Sequence, residues 1–232
     1  MKRFYKNAQA GTAPGGFVVR LDGKILKTPL QHNLILSTQE LAELIAGEWQ
    51  AQGKDIVPAS MPLTQLANTM VDKSATEDRS AMTAEIMRYA GSDLVCYLAT
   101  HPADLVKRQE ECWLPLIEWI KEAHGIGLHV VRGIQYVQQE KDNLEKMKSV
   151  IESLNSADFT VVQAATGIAG SVVIALALLE GRVTPETAWQ AACVDEIYQL
   201  EKWGEDDLAR KRLEKIRLDL DAVSRFKASL SH

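Results

Sequence analysis

Residues 160–179, with the sequence TVVQAATGIAGSVVIALALL, contain no charged side chain over 20 consecutive positions. This length meets the usual requirement for a membrane-spanning helix. Glycine, glutamine and hydroxyl-bearing residues within the stretch lower its hydrophobicity, and the segments on both sides of it have the pattern of amphipathic helices. Because amphipathic helices need an apolar surface to cover, we predict one buried central helix from Asp158 to Gly181, and no stable membrane insertion. A membrane anchor around Gly167 is the alternative.

Downstream of this stretch the sequence predicts two more helices. Thr184 followed by Pro185 is typical of a helix start, and this helix is expected to continue to Gly204. The final helix has a narrow apolar stripe at steps of three and four, formed by Leu213, Ile216, Leu220 and Val223. Charged residues occupy its remaining positions, which indicates a helix that packs on one side only.

Upstream of the stretch the pattern is also helical. One helix is expected to place Asp93 on the same face as several apolar and tyrosine side chains, namely Ile86, Tyr89, Ala90 and Tyr97. A second helix begins near Pro102, and we expect Pro115 to interrupt it because proline lacks a backbone donor. Trp113 on this helix is expected to be structural. Residues 125–138 predict a loop or a short strand.

The beginning of the chain has the pattern of β structure. Phe17 to Leu21 and Lys24 to Thr28 flank an Asp-Gly turn and predict a hairpin, and Asn33 to Leu36 could add a strand. Ser37 with Glu40 predicts the start of a helix that ends near Gly53 and buries Trp49 as a structural residue.

The fold class is therefore α+β, with a small β-rich α+β part at the front and a larger multihelical part behind it. We place the N-terminal domain at residues 1–75 and the C-terminal helical domain at residues 76–232. The polar stretch from Asp72 to Ser80 is the reason for this boundary.

Composition excludes several classes of protein. The net charge is −5, and the absence of a continuous basic field argues against a nucleic-acid partner. Cys96, Cys112 and Cys193 are widely separated and surrounded by apolar residues, so we expect reduced and buried thiols. The start MKRFYKNAQAG lacks the apolar stretch of a secretory signal, and a bacterial cytoplasm is the expected location.

No sequence motif for catalysis or cofactor binding is present. The glycines near the start lack the ending of a phosphate-binding loop, and the histidines lack metal-ligand spacing, so we expect no cofactor, no metal site and no catalytic residue. Asp93 is the residue that requires an explanation, because a carboxylate on an apolar face needs hydrogen bonds. A structural bond to a tyrosine hydroxyl or a backbone amide is the first hypothesis, and a catalytic acid is the second.

The most informative local pattern lies between Ala188 and Gly204. Trp189, Cys193, Ile197 and Leu200 are expected to face the core. Glu196, Gln199 and Trp203 follow on an adjacent side at helical steps, and Asp195 precedes them. A charge, an amide and an aromatic ring on one side suit a partner-binding surface, although a half-buried face packed on the chain itself would give the same pattern.

Seven motifs occur in the order found in one known family. They are Phe4-Tyr5-Lys6, Leu21-Asp22-Gly23 with Lys27-Thr28-Pro29, Glu48-Trp49 with Gln52, Met61-Pro62-Leu63-Thr64, DLVCY at 93–97, WLPLIEW at 113–119 and YQLEKWG at 198–204. With these motifs the chain resembles the ATP synthase F1 assembly chaperones that act on the alpha subunit. Leu114 departs from the pattern, because an acidic residue is often found at this position in the family.

The resemblance implies a two-part α+β and helical molecule without catalytic activity. It also implies that the partner is the unassembled alpha subunit of the F1 head, whose beta-facing surface the chaperone would shield, and we expect the free protein to be a monomer. Eukaryotic members of the family act in mitochondria. A small-molecule enzyme with a site around Asp93 and neighbouring tyrosines is the alternative function.

Overall fold

The computed structural model describes residues 1–75, 79–204 and 206–230. Its strands are β1 (Ala8–Ala13), β2 (Gly16–Leu21), β3 (Lys24–Ile25), β4 (Ile35–Leu36), β5 (Tyr97–Leu98) and β6 (Val131–Arg132). Its α-helices are α1 (Gln39–Gln50), α2 (Pro62–Thr69), α3 (Ser80–Ala90), α4 (Ala103–His124), α5 (Lys141–Ser153), α6 (Ser156–Ala169), α7 (Val172–Leu179), α8 (Pro185–Ala192), α9 (Val194–Trp203) and α10 (Asp207–Ala228). A small sheet region precedes a larger helical part, which confirms the predicted α+β class.

The chain forms two compact units. The first contains Met1–Arg79 together with Ser156–Val161 and Ala222–His232, and the second contains Ser80–Asn155 and Val162–Asp221. The boundary expected between residues 75 and 76 directly precedes residues 76–78, which lie outside the described residues. A division at one point in the sequence also does not account for the two later segments that belong to the first unit.

The first unit is built on an antiparallel sheet with β2 at its centre. Strands β1, β3 and β4 all pair with β2, and the predicted turn at Asp22 and Gly23 has positive φ angles of 46° and 85°. The pairing of β1 with β2 was not predicted, because the sequence AQAGTA has few of the β-branched and aromatic residues that mark a strand. Helix α1 packs against β1 and β2.

Helix α1 begins one residue later than predicted. Thr38, not Ser37, is the N-cap, and its hydroxyl accepts a hydrogen bond from the amide of Leu41 at 3.3 Å. The same hydroxyl donates to the carbonyl of Ser229 at 2.5 Å. Trp49, in the last turn of α1, is 8% exposed, as expected for a side chain on the apolar face of this helix.

The uncharged stretch at 160–179 forms two helices where one was predicted. Helix α6 ends at Ala169, Gly170 adopts a positive φ of 69°, and the Ser171 hydroxyl accepts from the amide of Ile174 to start α7. Glycine in a left-handed conformation followed by a serine cap is a strong helix boundary, and the apolar composition concealed it. Helix α7 is buried from Val172 through Leu178 and packs against α3, α4 and α8.

Two predictions about the preceding helices were wrong. Helix α3 ends at Ala90, so Asp93 and Tyr97 do not continue its apolar face; Asp93 instead starts a short 3-10 turn, and Tyr97 lies in β5. Helix α4 passes through Pro115 without interruption. Its side chains at Trp113, Leu116 and Ile120 are buried on both sides of the proline, and this packing maintains the helix despite the missing donor. Among the described residues no helix is long and apolar enough to span a membrane.

Candidate functional site

The segment predicted as one helix from Thr184 to Gly204 is divided at Cys193. Helix α8 ends at Ala192, and Cys193 has φ of −120° and ψ of 19° before α9 begins. Because the segment is two helices and not one, a single helical period across Cys193 assigned the wrong side of the segment to the core. Cys193 is buried, but Trp189, Ile197 and Leu200 are only half-buried, and the side chains of Val194 and Tyr198 face the core instead.

The four residues predicted to bind a partner all lie on α9. Gln199 is exposed, Glu196 and Asp195 are half-buried, and Trp203 is 77% exposed. The Asp195 carboxylate accepts a 2.6 Å hydrogen bond from the side-chain amide of Gln109 on α4, and Glu196 lies 4.0 Å from Arg212 on α10. Asp195 is thus engaged within the second unit, whereas Gln199 and Trp203 extend into solvent.

A cluster of charged side chains connects α9 with the start of α4. Asp104 accepts hydrogen bonds of 2.8 Å from the Tyr198 hydroxyl and from the Lys202 ammonium group. Arg108, one turn further along α4, forms a 2.6 Å ion pair with Glu201. The guanidinium of Arg108 and the ammonium of Lys202 each lie 5.4 Å from the centre of the Tyr198 ring. We refer to these five residues as the Tyr198 cluster.

The electrostatics of the Tyr198 cluster follow from these bonds. The hydrogen bonds from Lys202 and Tyr198 lower the pKa of Asp104 to about 2, and the bond from Arg108 lowers the pKa of Glu201. Burial, followed by the bond to Asp104, raises the pKa of Tyr198. Asp104 and Arg108 were not predicted as site residues, because no pattern within α9 indicates that the partner of Tyr198 lies 94 positions away in the chain.

A groove next to the cluster has a mostly apolar floor. It has a volume of about 260 Å³ and is lined by side chains of α4, α8 and α9 that include Cys112, Trp189, Val194, Ile197, Arg108 and Glu201. The indole N–H of Trp189 donates to the carbonyl of Leu213 at 3.0 Å, which fixes one wall. Cys96 and Cys193 are buried as expected, but the prediction of a buried thiol was wrong for Cys112, which is half-buried. Burial raises the pKa of the Cys112 thiol, which disfavours the reactive thiolate.

Trp113 and Asp93 are both buried in the second unit and hydrogen-bonded there. The indole N–H of Trp113 donates to the carbonyl of Ala191 at 2.8 Å. Asp93 has no exposed surface, and its carboxylate accepts hydrogen bonds from the amides of Val95, Val172 and Val173 at 3.3, 2.7 and 3.2 Å. The amides of Val172 and Val173 lie in the first turn of α7, where no backbone carbonyl of the helix can accept from them.

The protonation of Asp93 is set by opposing influences. Burial raises the pKa of Asp93 to about 6, and the hydrogen bonds from Ser171 and from the three backbone amides partly offset this rise. None of the hydrogen-bond partners described for this carboxyl is a tyrosine. Because Asp93 has no surface open to solvent, its carboxyl is not positioned to meet a substrate. Within residues 1–75, 79–204 and 206–230, no three His, Cys, Asp or Glu side chains are grouped so that they could hold a metal ion.

Comparison with known proteins gives consistent matches. The family model described as ATP12 chaperone protein matches residues 2–121. The mitochondrial protein atp12 of Schizosaccharomyces pombe is 25% identical over 215 residues, covering 88% of this chain and 74% of its own. The mitochondrial protein ATP12 of Saccharomyces cerevisiae is 23% identical, covering 82% of this chain and 72% of its own. The crystal structure of Atp12 from Paracoccus denitrificans superposes with a TM-score of 0.87 at 33% identity, covering 99% of this chain and 98% of that one.

Proposed function

This chain belongs to the ATP12 chaperone family of ATP synthase F1 assembly factors, and from this premise we propose that it binds the unassembled alpha subunit of the F1 head. It would shield the beta-facing surface of that subunit until assembly, without chemical turnover. An exposed apolar surface on an unassembled subunit is an aggregation hazard, and covering it requires only a complementary face. We further propose that the protein acts as a monomer in the bacterial cytoplasm.

The observation that carries the proposal is the exposure of Trp203. A tryptophan that is 77% exposed at the end of a well-packed helix leaves a large apolar surface in water. Tryptophan is among the residues that most often dominate the binding energy of an interface. Its place at the end of α9, whose other side is buried through Val194 and Tyr198, lets it contact a partner without disturbing the core.

The polar residues around Trp203 would give the contact its orientation. Glu196 and Gln199 precede Trp203 by seven and four positions, so all three share one side of α9. Asp195 would act less directly, because its carboxylate already accepts from Gln109. The Tyr198 cluster presents charges of both signs beside this side of the helix, which suits selection of a partner with a complementary charge pattern.

The test measures capture of the alpha subunit by variants of the purified, tagged chain. Trp203→Ala is expected to weaken capture by roughly thirtyfold, about 2 kcal/mol, because it removes the central apolar contact. Glu196→Lys is expected to weaken it by at least about tenfold, since it reverses a charge at the contact. Mass spectrometry of proteins that co-purify with the tagged wild type should find the alpha subunit as the dominant specific partner.

Two control variants change one aromatic residue and one glutamate elsewhere on the second unit. Tyr136→Ala removes an aromatic side chain that is also largely exposed, and Glu145→Lys reverses an exposed charge on α5. Both should bind the alpha subunit like the wild type. Equal losses in test and control variants would remove α9 from the interface, and a clean preparation without any ATP synthase subunit, despite abundant alpha subunit in the lysate, would contradict the proposed partner.

A further inference from the structure

The charge of this protein is unevenly distributed along the chain. The first 30 residues contain six basic residues and one acidic residue, a net charge of +5. Since the whole chain carries −5, residues 31–232 carry −10. The basic residues are Lys2, Arg3, Lys6, Arg20, Lys24 and Lys27. The first seven residues and the β1–β2–β3 hairpins that follow them therefore form a basic region on an acidic protein.

Both arginines of this region donate hydrogen bonds to backbone carbonyls within the protein. Arg3 donates to the carbonyls of Tyr5, Gln50, Gln52 and Lys6. Arg20 donates to carbonyls within the hairpins, those of Gly23 and Thr12. Lys24 and Lys27 differ from them, because both are exposed and neither forms an ion pair with any residue that the structure describes. Their charges remain available to a partner.

Lys24 and Lys27 line a groove whose floor is apolar. The groove has a volume of about 320 Å³, and its apolar side chains are those of Phe4, Tyr5, Leu21, Ile25 and Leu26. Asp22 also lines it, but the Asp22 carboxylate accepts from the backbone amides of Lys6 and Asn7. These bonds lower the pKa of Asp22 and direct its charge towards the backbone.

Contacts between aromatic rings hold one wall of the groove in position. The Tyr5 hydroxyl donates to the carbonyl of Trp49 at 2.6 Å, and the two rings lie 5.6 Å apart. The Arg3 guanidinium lies 4.6 Å from the centre of the Tyr5 ring. Phe4 packs edge-on against Tyr5 at 5.4 Å and is 67% exposed. Phe4 is thus an ordered apolar surface, and a ligand would lose little entropy in ordering it.

We propose that this groove binds an acidic peptide segment that carries an aliphatic side chain, supplied by a partner protein. The apolar floor would take the aliphatic side chain, and the ammonium groups of Lys24 and Lys27 would pair with flanking carboxylates. A concave site of this size fits one or two side chains, whereas a lipid surface is flat and would leave the groove unfilled. The site lies in the first unit and does not depend on the α9 surface of the second.

The test uses fluorescence anisotropy with two labelled hexapeptides, EDLEDE and KRLKRK. The full chain should bind the acidic peptide with a Kd of about 10 to 100 μM in low salt and more weakly in high salt, and the basic peptide at least about tenfold more weakly. Lys24→Glu/Lys27→Glu should weaken binding of EDLEDE by at least about tenfold, because both charges become repulsive. Phe4→Ala should weaken it roughly fivefold through loss of apolar contact.

The control is Lys121→Glu/Lys211→Glu, which makes the same change in net charge at exposed lysines of the second unit. This variant should bind EDLEDE within about twofold of the wild type. Thermal melts establish that each variant is folded. No binding of EDLEDE, or an equal loss in the control variant, overturns the proposal. Tighter binding to vesicles of phosphatidylglycerol and phosphatidylcholine, lost in Lys24→Glu/Lys27→Glu, would overturn it in favour of a membrane site.

Discussion

Trp49 and Trp203 both lie in the last turn of an amphipathic helix, and their environments are opposite. Trp49 on α1 is 8% exposed and packs beside the Tyr5 ring. Trp203 on α9 is 77% exposed, and its side chain has no hydrogen bond or ring contact in the part of the chain that the structure describes. Helical spacing alone does not separate the two cases. We therefore expect Trp49 to stabilise the fold and Trp203 to contact a partner.

Asp93 and Asp104 form a second contrast of the same kind. Burial raises the pKa of Asp93 to about 6, whereas the bonds from Lys202 and Tyr198 lower that of the exposed Asp104 to about 2. Both carboxyls accept several hydrogen bonds. The pKa of Asp93 is therefore raised because desolvation outweighs its hydrogen bonds. The pKa of Asp104 is lowered because its charged and hydroxyl donors outweigh desolvation.

The largest expected effect is that of Trp49→Arg. An unpaired charge would be buried, or the end of α1 would be expelled, at a cost of about 4 kcal/mol or more in the free energy of unfolding. Trp203→Arg is the matched substitution and should leave that free energy within about 0.5 kcal/mol of the wild type. Urea denaturation followed by circular dichroism measures both. Similar unfolding midpoints for the two variants would show that the tryptophans do not differ in role.

Asp93→Ala should have the next largest effect. It leaves the buried amides of Val95, Val172 and Val173 without their acceptor, so we expect a loss of about 3 to 5 kcal/mol in the free energy of unfolding. The same urea titration, with Asp104→Ala as the exposed counterpart, provides the measurement. A loss below about 1 kcal/mol for Asp93→Ala would mean that these bonds contribute little to holding the start of α7.

The pH dependence of stability should distinguish the two carboxyls by its direction. The pKa of Asp93 is raised to about 6 in the folded state. Its contribution to the free energy of unfolding is therefore fully present below the unfolded pKa of 3.8 and is lost as pH rises through 6. The wild type should therefore lose up to about 3 kcal/mol relative to Asp93→Asn between about pH 4 and pH 7. A difference between these two proteins that does not vary with pH would contradict the raised pKa.

Asp104 should behave in the opposite way and with the smallest effect. The pKa of Asp104 is lowered to about 2 in the folded state. Its contribution to the free energy of unfolding is therefore present above the unfolded pKa of 3.8 and is lost as pH falls through 2. Asp104→Asn should shift the melting temperature at neutral pH by less than about 2 °C, since exposed ion pairs contribute little to stability. Calorimetry at neutral and acidic pH tests this, and a large loss at neutral pH would assign the Tyr198 cluster to the core of the second unit.

The sequence predicted most of the architecture because its signals are local. The Asp22-Gly23 turn, the apolar face of α1 and the α+β class all follow from periodicity and turn chemistry. Two helix breaks were missed for different reasons. The break at Gly170 lies within a continuous apolar run, which favours one long helix. The break at Cys193 has no glycine, proline or capping residue to mark it, so the sequence predicted one helix there as well.

The contacts of the candidate site were less predictable than its location. Asp195, Glu196, Gln199 and Trp203 do share α9, which needs only helical spacing. The partners of α9 come from distant parts of the chain: Asp104 is 94 residues from Tyr198, and Gln109 is 86 residues from Asp195. No single-sequence pattern encodes such pairs, because the local sequence around Asp104 and Gln109 does not distinguish them from the other polar residues of α4.

The hydrogen bond from Thr38 to the carbonyl of Ser229 spans 191 residues and has a consequence for the timing of synthesis. A ribosome makes the sheet and α1 early, but the first unit also requires residues 156–161 and the segment that begins at Ala222. This unit therefore cannot close while translation is still in progress through the intervening residues. The strands of the sheet all lie within residues 8–36 and are made long before this, so the start of α1 must remain without its contact to Ser229 until almost the whole chain has been synthesised.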